Sequence, residues 1–249
     1  MKFSRTHPRT VEEWITNIKR RMTVLPSFQR HEAWGHSLVE NFLTSIIRKL
    51  PTGATLILEV GQECPFEWRP IKGGPSEGER ISEMVLDGQQ RITALWRSLK
   101  DNYEDVTFFV KVEPTESNEQ EEEFPRVIGI TRWWKNHRRY PLWADDPVQC
   151  WQKRLIPFRL LDPQDTEGYK KWIRALTDDY EERDRMRDII EDLRRVLSSH
   201  VLPYLSLTPV ENQIDKYIAI ETFVNMNTSY VPLKPFDIVV AQVEAKTGE

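Results

Sequence analysis

The sequence predicts an α/β fold of the α+β type, in which helices and strands alternate over residues 1–115 and a mostly helical part follows over residues 116–249. Two observations lead to this prediction. In the first part, short β-branched runs alternate with segments of helical periodicity. The second part is dominated by a charged stretch, 169–201, whose apolar residues recur at helical spacing.

The elements of the first part follow from local signals. Thr10 and Glu13 form a capping box that begins a helix, and Ser37 and Glu40 are predicted to form a second one. Strands are predicted where short apolar or β-branched runs are bounded by proline, glycine or charged residues. In chain order we expect a helix from 11 to 18, a strand over 22–25, a helix over 38–47, strands over 54–60 and 81–86, a helix over 92–99 and a strand over 106–112.

The second part is less regular in sequence. Four tryptophans, at positions 133, 134, 143 and 151, fall in a segment broken by prolines, which we expect to be irregular structure packed onto the core. After the charged helical stretch we expect a strand over 204–207 and helices over 218–226 and 236–245.

The composition fits a soluble cytoplasmic protein. Hydrophobic residues make up 39% and charged residues 30% of the 249 residues, which is typical of a globular chain. No apolar run approaches the roughly 20 residues that span a bilayer, so no membrane association is expected. The N-terminus lacks the apolar stretch of a secretion signal. Cys64 and Cys150 are predicted to be free thiols in a reducing cytoplasm.

Positive charge is concentrated in two segments, although the net charge is −4. Residues 1–50 hold nine Lys and Arg against four Glu, which makes them the first candidate for a DNA-facing surface. The segment Arg126–Arg139 holds five Lys and Arg, no acid, and Trp133 and Trp134. One interpretation of this segment is stacking on an unpaired base. The other, which the sequence favours, places the tryptophans in the core and the arginines on a solvated face.

Asp87-Gly88-Gln89-Gln90-Arg91 joins a predicted strand to a predicted helix. Gly88 permits a tight turn, and the helix start offers N–H groups and a positive dipole to an anion. Arg91 can pair with phosphate oxygens, Asp87 can hold Mg²⁺ or accept a proton, and Gln90 can orient a water. In the alternative interpretation, Asp87 only caps the helix and Gly88 only turns the chain. The residues alone support the two interpretations about equally.

Two segments carry a resemblance to a known family. Val24–Arg30 (VLPSFQR), with Trp34 close behind, and the later segment VLDGQQRITAL resemble the bacterial family named for its DGQQR motif, whose N-terminal half has a ParB/sulfiredoxin-like fold. That family is similar to the S half of GmrSD-type, modification-dependent restriction enzymes and to the N-terminal module of SspE, a sensor of phosphorothioate DNA. Phe223–Asn227, with Leu233 and Asp237, resembles the family's asparagine segment.

The resemblance implies nucleotide hydrolysis coupled to DNA recognition. It implies catalytic roles for Asp87, Gln90 and Arg91, a divalent cation such as Mg²⁺ on Asp87, and a nucleoside triphosphate as the substrate. The nucleotide-binding residues that it implies are Gly88, Gln89, Thr93, Asn225 and Asn227. The DNA-binding residues that it implies are Phe28, Gln29, Arg30 and Trp34. For the two asparagines, pairing with backbone groups in a tight turn is the alternative.

The predicted function is therefore the nucleotide-hydrolysing sensor module of a bacterial anti-phage restriction system, which binds modified or unmodified DNA and gates a nuclease located elsewhere. An HNH-type nuclease domain or subunit is the expected partner. The sequence contains no such domain and ends without a closing element, which predicts a truncation or a split system. The alternatives are a ParB-like reader that binds modified DNA or a nucleotide without hydrolysing it, and a regulatory protein that binds a nuclease or toxin through its helical part.

Overall fold

A computed structural model describes residues 6–29, 32–113 and 124–228 of the chain. Its mixture of helices and sheets confirms the α+β class. The helices are α1 (Val11–Lys19), α2 (His36–Ile47), α3 (Gln89–Lys100), α4 (Pro147–Gln152), α5 (Thr166–Leu176), α6 (Tyr180–Ser199) and α7 (Gln213–Thr228). The strands are β1 (Thr23–Pro26), β2 (Thr55–Glu59), β3 (Trp68–Arg69), β4 (Glu83–Asp87), β5 (Val106–Lys111), β6 (Arg126–Thr131), β7 (Trp133–Lys135), β8 (Arg138–Tyr140), β9 (Leu155–Pro157) and β10 (Tyr204–Leu207).

The chain divides into two compact units, Met1–Val210 and Glu211–Glu249. The first unit is built on a five-stranded mixed sheet of order β10-β2-β4-β1-β3. In this sheet β10 runs parallel to β2 and β1 runs parallel to β4, whereas β2–β4 and β1–β3 are antiparallel. The predicted boundary near residue 115 and the ParB/sulfiredoxin-like fold stay predictions, but this sheet draws strands from both sides of that boundary.

A second, antiparallel sheet of order β6-β5-β9 and a separate β7–β8 hairpin complete the strands that the structure describes. The buried core is formed by apolar residues of α1, α2, α3, α5 and α6 and of the two larger sheets. Its largest fully buried side chains include Trp14, Phe109 and Phe158. The helix α3 is central, since most of its residues are buried on every side.

One of the two predicted capping boxes forms and the other does not. Thr10 Oγ1 accepts from Glu13 N at 3.2 Å, and the Glu13 carboxylate accepts from Thr10 N at 2.7 Å, which confirms the first. The prediction of the second was wrong, because α2 begins after Gly35 without a side-chain cap. The Glu40 carboxylate instead accepts from Gly129 N of β6 at 2.7 Å.

The tryptophan segment is regular structure, contrary to the prediction. It forms β6, the β7–β8 hairpin, a 3₁₀ helix and α4. Trp151 is buried in the core, whereas Trp133 and Trp134 are 50% and 67% exposed. The charged stretch is two helices, α5 and α6, since the Asp179 carboxylate caps a new helix start there. The predicted strand at 204–207 and helix at 218–226 are confirmed as β10 and α7, and the helix predicted over 236–245 lies outside the described residues.

Both cysteines are free thiols. Cys150 is buried, and that burial raises the pKa of its thiol to about 12. Within the ranges that the structure describes, no helix combines the length and apolarity needed to cross a membrane.

Candidate active site

The strand β4 ends at Asp87, and the helix α3 begins two residues later at Gln89. β4 is buried between β1 and β2, whereas the side chain of Asp87 keeps 33% of its surface exposed. Gly88 joins the two elements with φ +90°, and no side chain caps α3. The N–H groups of a helix's first turn have no acceptor within the helix. The junction therefore places a carboxylate beside a helix N-terminus that no side chain caps.

The guanidinium of Arg91 lies next to this carboxylate, with Nη2 3.8 Å from Asp87 Oδ2. Two backbone carbonyls of the segment before β2 hold it there. Nη1 donates to Thr52 O at 3.3 Å and Nη2 donates to Ala54 O at 2.6 Å. Arg91 Nε is buried and has no hydrogen-bond partner among the described residues. These two bonds use two of the five N–H groups that a guanidinium offers.

Two glycines leave the space that this guanidinium occupies. A Cβ atom at Gly53, where φ is +82°, would lie 2.8 Å from Arg91 Nη1. A Cβ atom at Gly88 would lie 3.0 Å from Arg91 Nη2 and 2.8 Å from Thr55 Oγ1. Both glycines adopt a left-handed conformation that other residues rarely take. Sequence reasoning found Gly88 and missed Gly53, whose only signal was its place just before the strand β2.

Gln90 connects this junction to the segment between β1 and α2, residues 28–34, which is called the upstream segment below. Its Oε1 atom accepts hydrogen bonds from Ala33 N at 2.9 Å and from Trp34 N at 3.2 Å. The side chain of Gln90 therefore holds the 32–34 backbone against the start of α3. The predicted role of Gln90 in orienting a water stays a prediction, and this contact gives the residue a positioning role as well.

Gln29 makes a second connection from the same upstream segment. It is 5% exposed, and its Nε2 atom donates to Val85 O at 2.8 Å and to Leu86 O at 2.7 Å, the two carbonyls just before Asp87. Its Oε1 atom is buried without a hydrogen-bond partner among the described residues. Gln29 and Gln90 thus form a two-glutamine clasp that fastens the upstream segment to the β4–α3 junction.

Glu32, one residue before the first backbone amide that bonds to Gln90, is the centre of a polar cluster that the sequence reasoning missed. Its carboxylate pairs with Arg97 of α3 and accepts from the Tyr103 hydroxyl at 2.9 Å, and Lys72 Nζ lies 3.6 Å away. The Arg97 guanidinium also lies 3.8 Å from the centre of the Tyr103 ring. Burial, followed by the Glu32 charge, raises the pKa of Tyr103, so this hydroxyl stays a donor. The cluster fixes the upstream segment to the far end of α3.

The remaining predicted DNA-binding residues divide by exposure. Phe28 is 46% exposed and makes an edge-to-face contact with Phe66, with ring centroids 5.3 Å apart. Trp34 is partly buried, and its ring packs edge-on against Phe42 at 5.6 Å, so it contributes to the core. Arg30 lies outside the described residues.

The predicted nucleotide-binding residues also lie in different places. Gln89 and Thr93 are both buried, and Thr93 is only 1% exposed, with a hydroxyl that has no partner among the described residues. Asn225 lies in α7, in the second unit. The interpretation of Asn225 and Asn227 as turn residues was wrong, because α7 runs through both positions. The side chain of Asn227 and the whole of Asp237 lie outside the described residues.

The second candidate surface, Arg126–Arg139, does not follow the interpretation that the sequence favoured. Arg132 is buried and pairs with Asp145, and Arg139 pairs with Asp101 at 2.9 Å. These two arginines are therefore structural, whereas the neighbouring tryptophans reach the surface.

The single carboxylate at the junction suits a divalent cation that binds together with a substrate phosphate. Among the described residues, no group of three or more His, Cys, Asp or Glu side chains is arranged to hold a metal ion. Mg²⁺ usually keeps several waters and takes one or two protein carboxylates together with substrate phosphates. Asp87, partly exposed at the end of β4, fits that pattern as a single carboxylate ligand.

Comparison with known proteins places the chain in a family. The model of the GmrSD restriction endonuclease N-terminal domain matches residues 11–244. The chain is also 24% identical over 236 residues to an uncharacterized protein of Methanocaldococcus jannaschii. That alignment covers 88% of this chain and 38% of the relative, so the chain spans less than two fifths of the length of this curated relative.

Proposed function

The chain belongs to the family of GmrSD restriction endonuclease N-terminal domains, and from this premise we propose that it is the nucleotide-hydrolysing DNA sensor of a restriction system. The β4–α3 junction carries the proposal. It sets the Asp87 carboxylate, the Arg91 guanidinium and a helix N-terminus without a side-chain cap within one turn of chain. A negative and a positive side chain beside a helix N-terminus form the arrangement that binding and cleaving a phosphoanhydride require.

Each group of the junction has a distinct part in the proposed reaction. The helix N-terminus and the remaining Arg91 N–H groups bind the phosphate oxygens. Asp87 accepts the proton of the attacking water, which Gln90 orients. Asp87 is also the residue that would hold Mg²⁺, which would neutralise phosphate charge. Gly53 and Gly88 maintain the site, because any larger residue at either position displaces the guanidinium.

The two-glutamine clasp is the proposed link between DNA and the nucleotide. Phe28 and Gln29 lie in the first candidate DNA-facing segment together with Arg30. Gln29 is bonded to the strand that ends at Asp87, and Gln90 is bonded to the backbone amides of Ala33 and Trp34 in the same segment. A DNA contact that shifts the segment would therefore also shift the end of β4 and the start of α3 at the junction. In the complete system this change would gate a nuclease domain or subunit, for which HNH-type chemistry is our proposal.

One observation favours a second candidate, a reader that binds a nucleotide or modified DNA without hydrolysing it. The polar ends of Arg91 and Gln90 already bond to backbone groups of this chain. Side chains that are held in this way bind a ligand with little reorganisation, but they are less free to move with the phosphate as it reacts. Turnover separates the two candidates.

The deciding experiment measures phosphate release from ATP, GTP, CTP and UTP with Mg²⁺, with and without modified DNA. Asp87→Ala and Arg91→Ala should abolish release. The matched controls are Asp192→Ala and Arg195→Ala, which remove the two ends of an exposed ion pair on α6 and should leave release unchanged. Activity that persists in Asp87→Ala would overturn the assignment of the site.

The reader predicts a different pair of results. It predicts no release from any nucleotide, together with a rise in melting temperature when the bound ligand is added. At a ligand concentration about 100 times Kd, binding stabilises the native state by about 2.7 kcal/mol, which is roughly 5–11 °C for a chain of this size. If no nucleotide releases phosphate and no ligand raises the melting temperature, both candidates are wrong.

A further inference from the structure

The β7–β8 hairpin is an exposed element that the proposed site does not use. Its two strands are joined by Asn136 and His137, with φ of +51° and +59°. Two consecutive left-handed residues form the turn that matches the twist of a tight hairpin. Arg139 anchors the hairpin to the rest of the first unit by donating to the Asp101 carboxylate and to the carbonyls of Tyr103 and Val106, at 2.9 to 3.2 Å. The hairpin is therefore a fixed projection.

The register of the hairpin decides which side chains share a face. Directly opposed residues in an antiparallel pair lie on the same face, and successive residues alternate. The pairs are Trp133 with Tyr140, Trp134 with Arg139, and Lys135 with Arg138. One face therefore carries two aromatic and two cationic residues, and the opposite face carries Trp134 with the anchoring arginine.

The cations on the first face form a like-charge pair. Lys135 stands directly opposite Arg138, and like charges in that position destabilise a hairpin. Both side chains are exposed, and no carboxylate of the described residues forms an ion pair with either of them. The neighbouring Arg132 and Arg139, by contrast, are each paired with an aspartate. An anion between Lys135 and Arg138 would remove the repulsion, and a phosphate matches their charge.

The aromatic residues lie next to this cationic pair. Trp133 is 50% exposed and stacks on Tyr140, with ring centroids 6.0 Å apart and an angle of 17° between the rings. Trp133 and Lys135 are two residues apart on one strand, a separation of about 7 Å. A single nucleotide can span that distance with its base on one residue and its phosphate on the other. Base–aromatic stacking combined with backbone charge is how unpaired nucleic-acid strands are bound.

We propose that the β7–β8 hairpin binds unpaired DNA, with a base stacked on Trp133 and its phosphate between Lys135 and Arg138. The occupant is an unpaired strand because a base must leave the duplex stack before its ring face is available. This inference rests on the DNA binding in the proposed function and adds a contact that is separate from the upstream segment.

The test measures the affinity for a labelled oligothymidylate longer than about 16 nucleotides, by fluorescence anisotropy with the 249-residue chain. Trp133→Ala should weaken binding roughly 5- to 150-fold, which corresponds to the loss of one stacked base. Its matched control is Trp134→Ala, which removes the same side chain from the opposite face and should bind as the wild type does. Unchanged melting temperatures would show that both variants are folded.

The phosphate contact has its own readout. The double variant Lys135→Ser with Arg138→Ser should reduce the slope of log affinity against log salt by about 0.7, the contribution of the one single-strand phosphate that the two cations share. The charge-matched control is Lys171→Ser with Arg174→Ser, which removes two exposed cations from α5 and should leave the slope unchanged.

The outcomes separate this inference from the proposed function. If the wild type binds DNA and neither the Trp133 nor the double variant changes that binding, the hairpin is not the contact, although the sensor function stands. If the wild type binds no DNA at any salt concentration, both the hairpin inference and the DNA part of the proposed function are wrong. Phosphate release without DNA, measured on the same samples, should be equal in wild type and hairpin variants.

Discussion

Replacing Gly88 with alanine should destabilise the protein by about 2–5 kcal/mol. Gly88 has φ +90°, and a residue with a Cβ atom in the left-handed region costs about 1–2 kcal/mol. The new Cβ atom would also lie 2.8 Å from Thr55 Oγ1 and 3.0 Å from Arg91 Nη2. Thr55 is 2% exposed on β2 and cannot move away freely. Overpacking of this kind typically costs about 1–3 kcal/mol.

Thermal unfolding followed by circular dichroism measures this effect. For a chain of this size, about 1 kcal/mol corresponds to roughly 2–4 °C, so Gly88→Ala should lower the melting temperature by at least about 4 °C. The matched control is Gly35→Ala, where φ is −72° and nothing lies within 4 Å of the new Cβ atom. Its effect should stay below about 1 kcal/mol.

A second variant separates the two contributions. In a Thr55→Ala background the closest steric partner is gone, so Gly88→Ala should cost mainly the conformational energy of about 1–2 kcal/mol. Gly88→Ala should also lower phosphate release, because it displaces Arg91. A Gly88→Ala protein that melts with the wild type and with Gly35→Ala would refute this account of the junction.

Three further predictions concern other contacts. Gln90→Ala should destabilise the protein by about 0.5–1.5 kcal/mol, because two backbone amides lose their acceptor. Gln90→Glu keeps an acceptor oxygen and should lose less stability. Urea unfolding measures the free energy of both variants. Glu83→Gln should lower the stability by about 3–5 kcal/mol, because it leaves the Arg9 guanidinium buried without its ionic partner. The control Asp192→Asn removes one end of an exposed ion pair and should lower the stability by less than about 1 kcal/mol. At pH 8 the Cys150 thiol should stay protonated, because its pKa is raised to about 12. It should therefore resist alkylation until the chain is unfolded, as labelling stoichiometry by mass spectrometry would show.

Specific results would contradict these three. Equal stability of Gln90→Ala and the wild type would remove the positioning role of that side chain. A loss for Glu83→Gln no larger than for Asp192→Asn would mean that the Arg9 contact is screened by solvent. Labelling of both thiols in the folded chain would mean that Cys150 is accessible and ionises readily.

The sequence determined the elements whose signals are local. The capping box at Thr10 and Glu13 depends on atoms three residues apart, and it forms as predicted. The strand–Asp87-Gly88–helix junction was predictable for the same reason, since a buried strand, a glycine and a helical stripe follow one another directly in the chain. Periodicity likewise located the strand Tyr204–Leu207, although not its partner.

Tertiary structure decided the partners of polar side chains. Ser37 and Glu40 have the spacing of a capping box, yet the Glu40 carboxylate bonds to Gly129, 89 residues away. The role of Gln90 in holding the upstream segment depends on two amides more than 50 residues away, and no local pattern encodes such a contact.

The tryptophan segment shows the same limit. The hydrophobicity of Trp133 predicted that it would be buried, but the register of β7 with β8 leaves it exposed. The charge of Arg132 predicted that it would be exposed, but it is buried and paired with Asp145. Local sequence fixes backbone geometry because the atoms involved are at most a few residues apart. A polar group bonds to whichever complementary group the folded chain brings within about 3 Å, and only the packed tertiary structure determines which group that is.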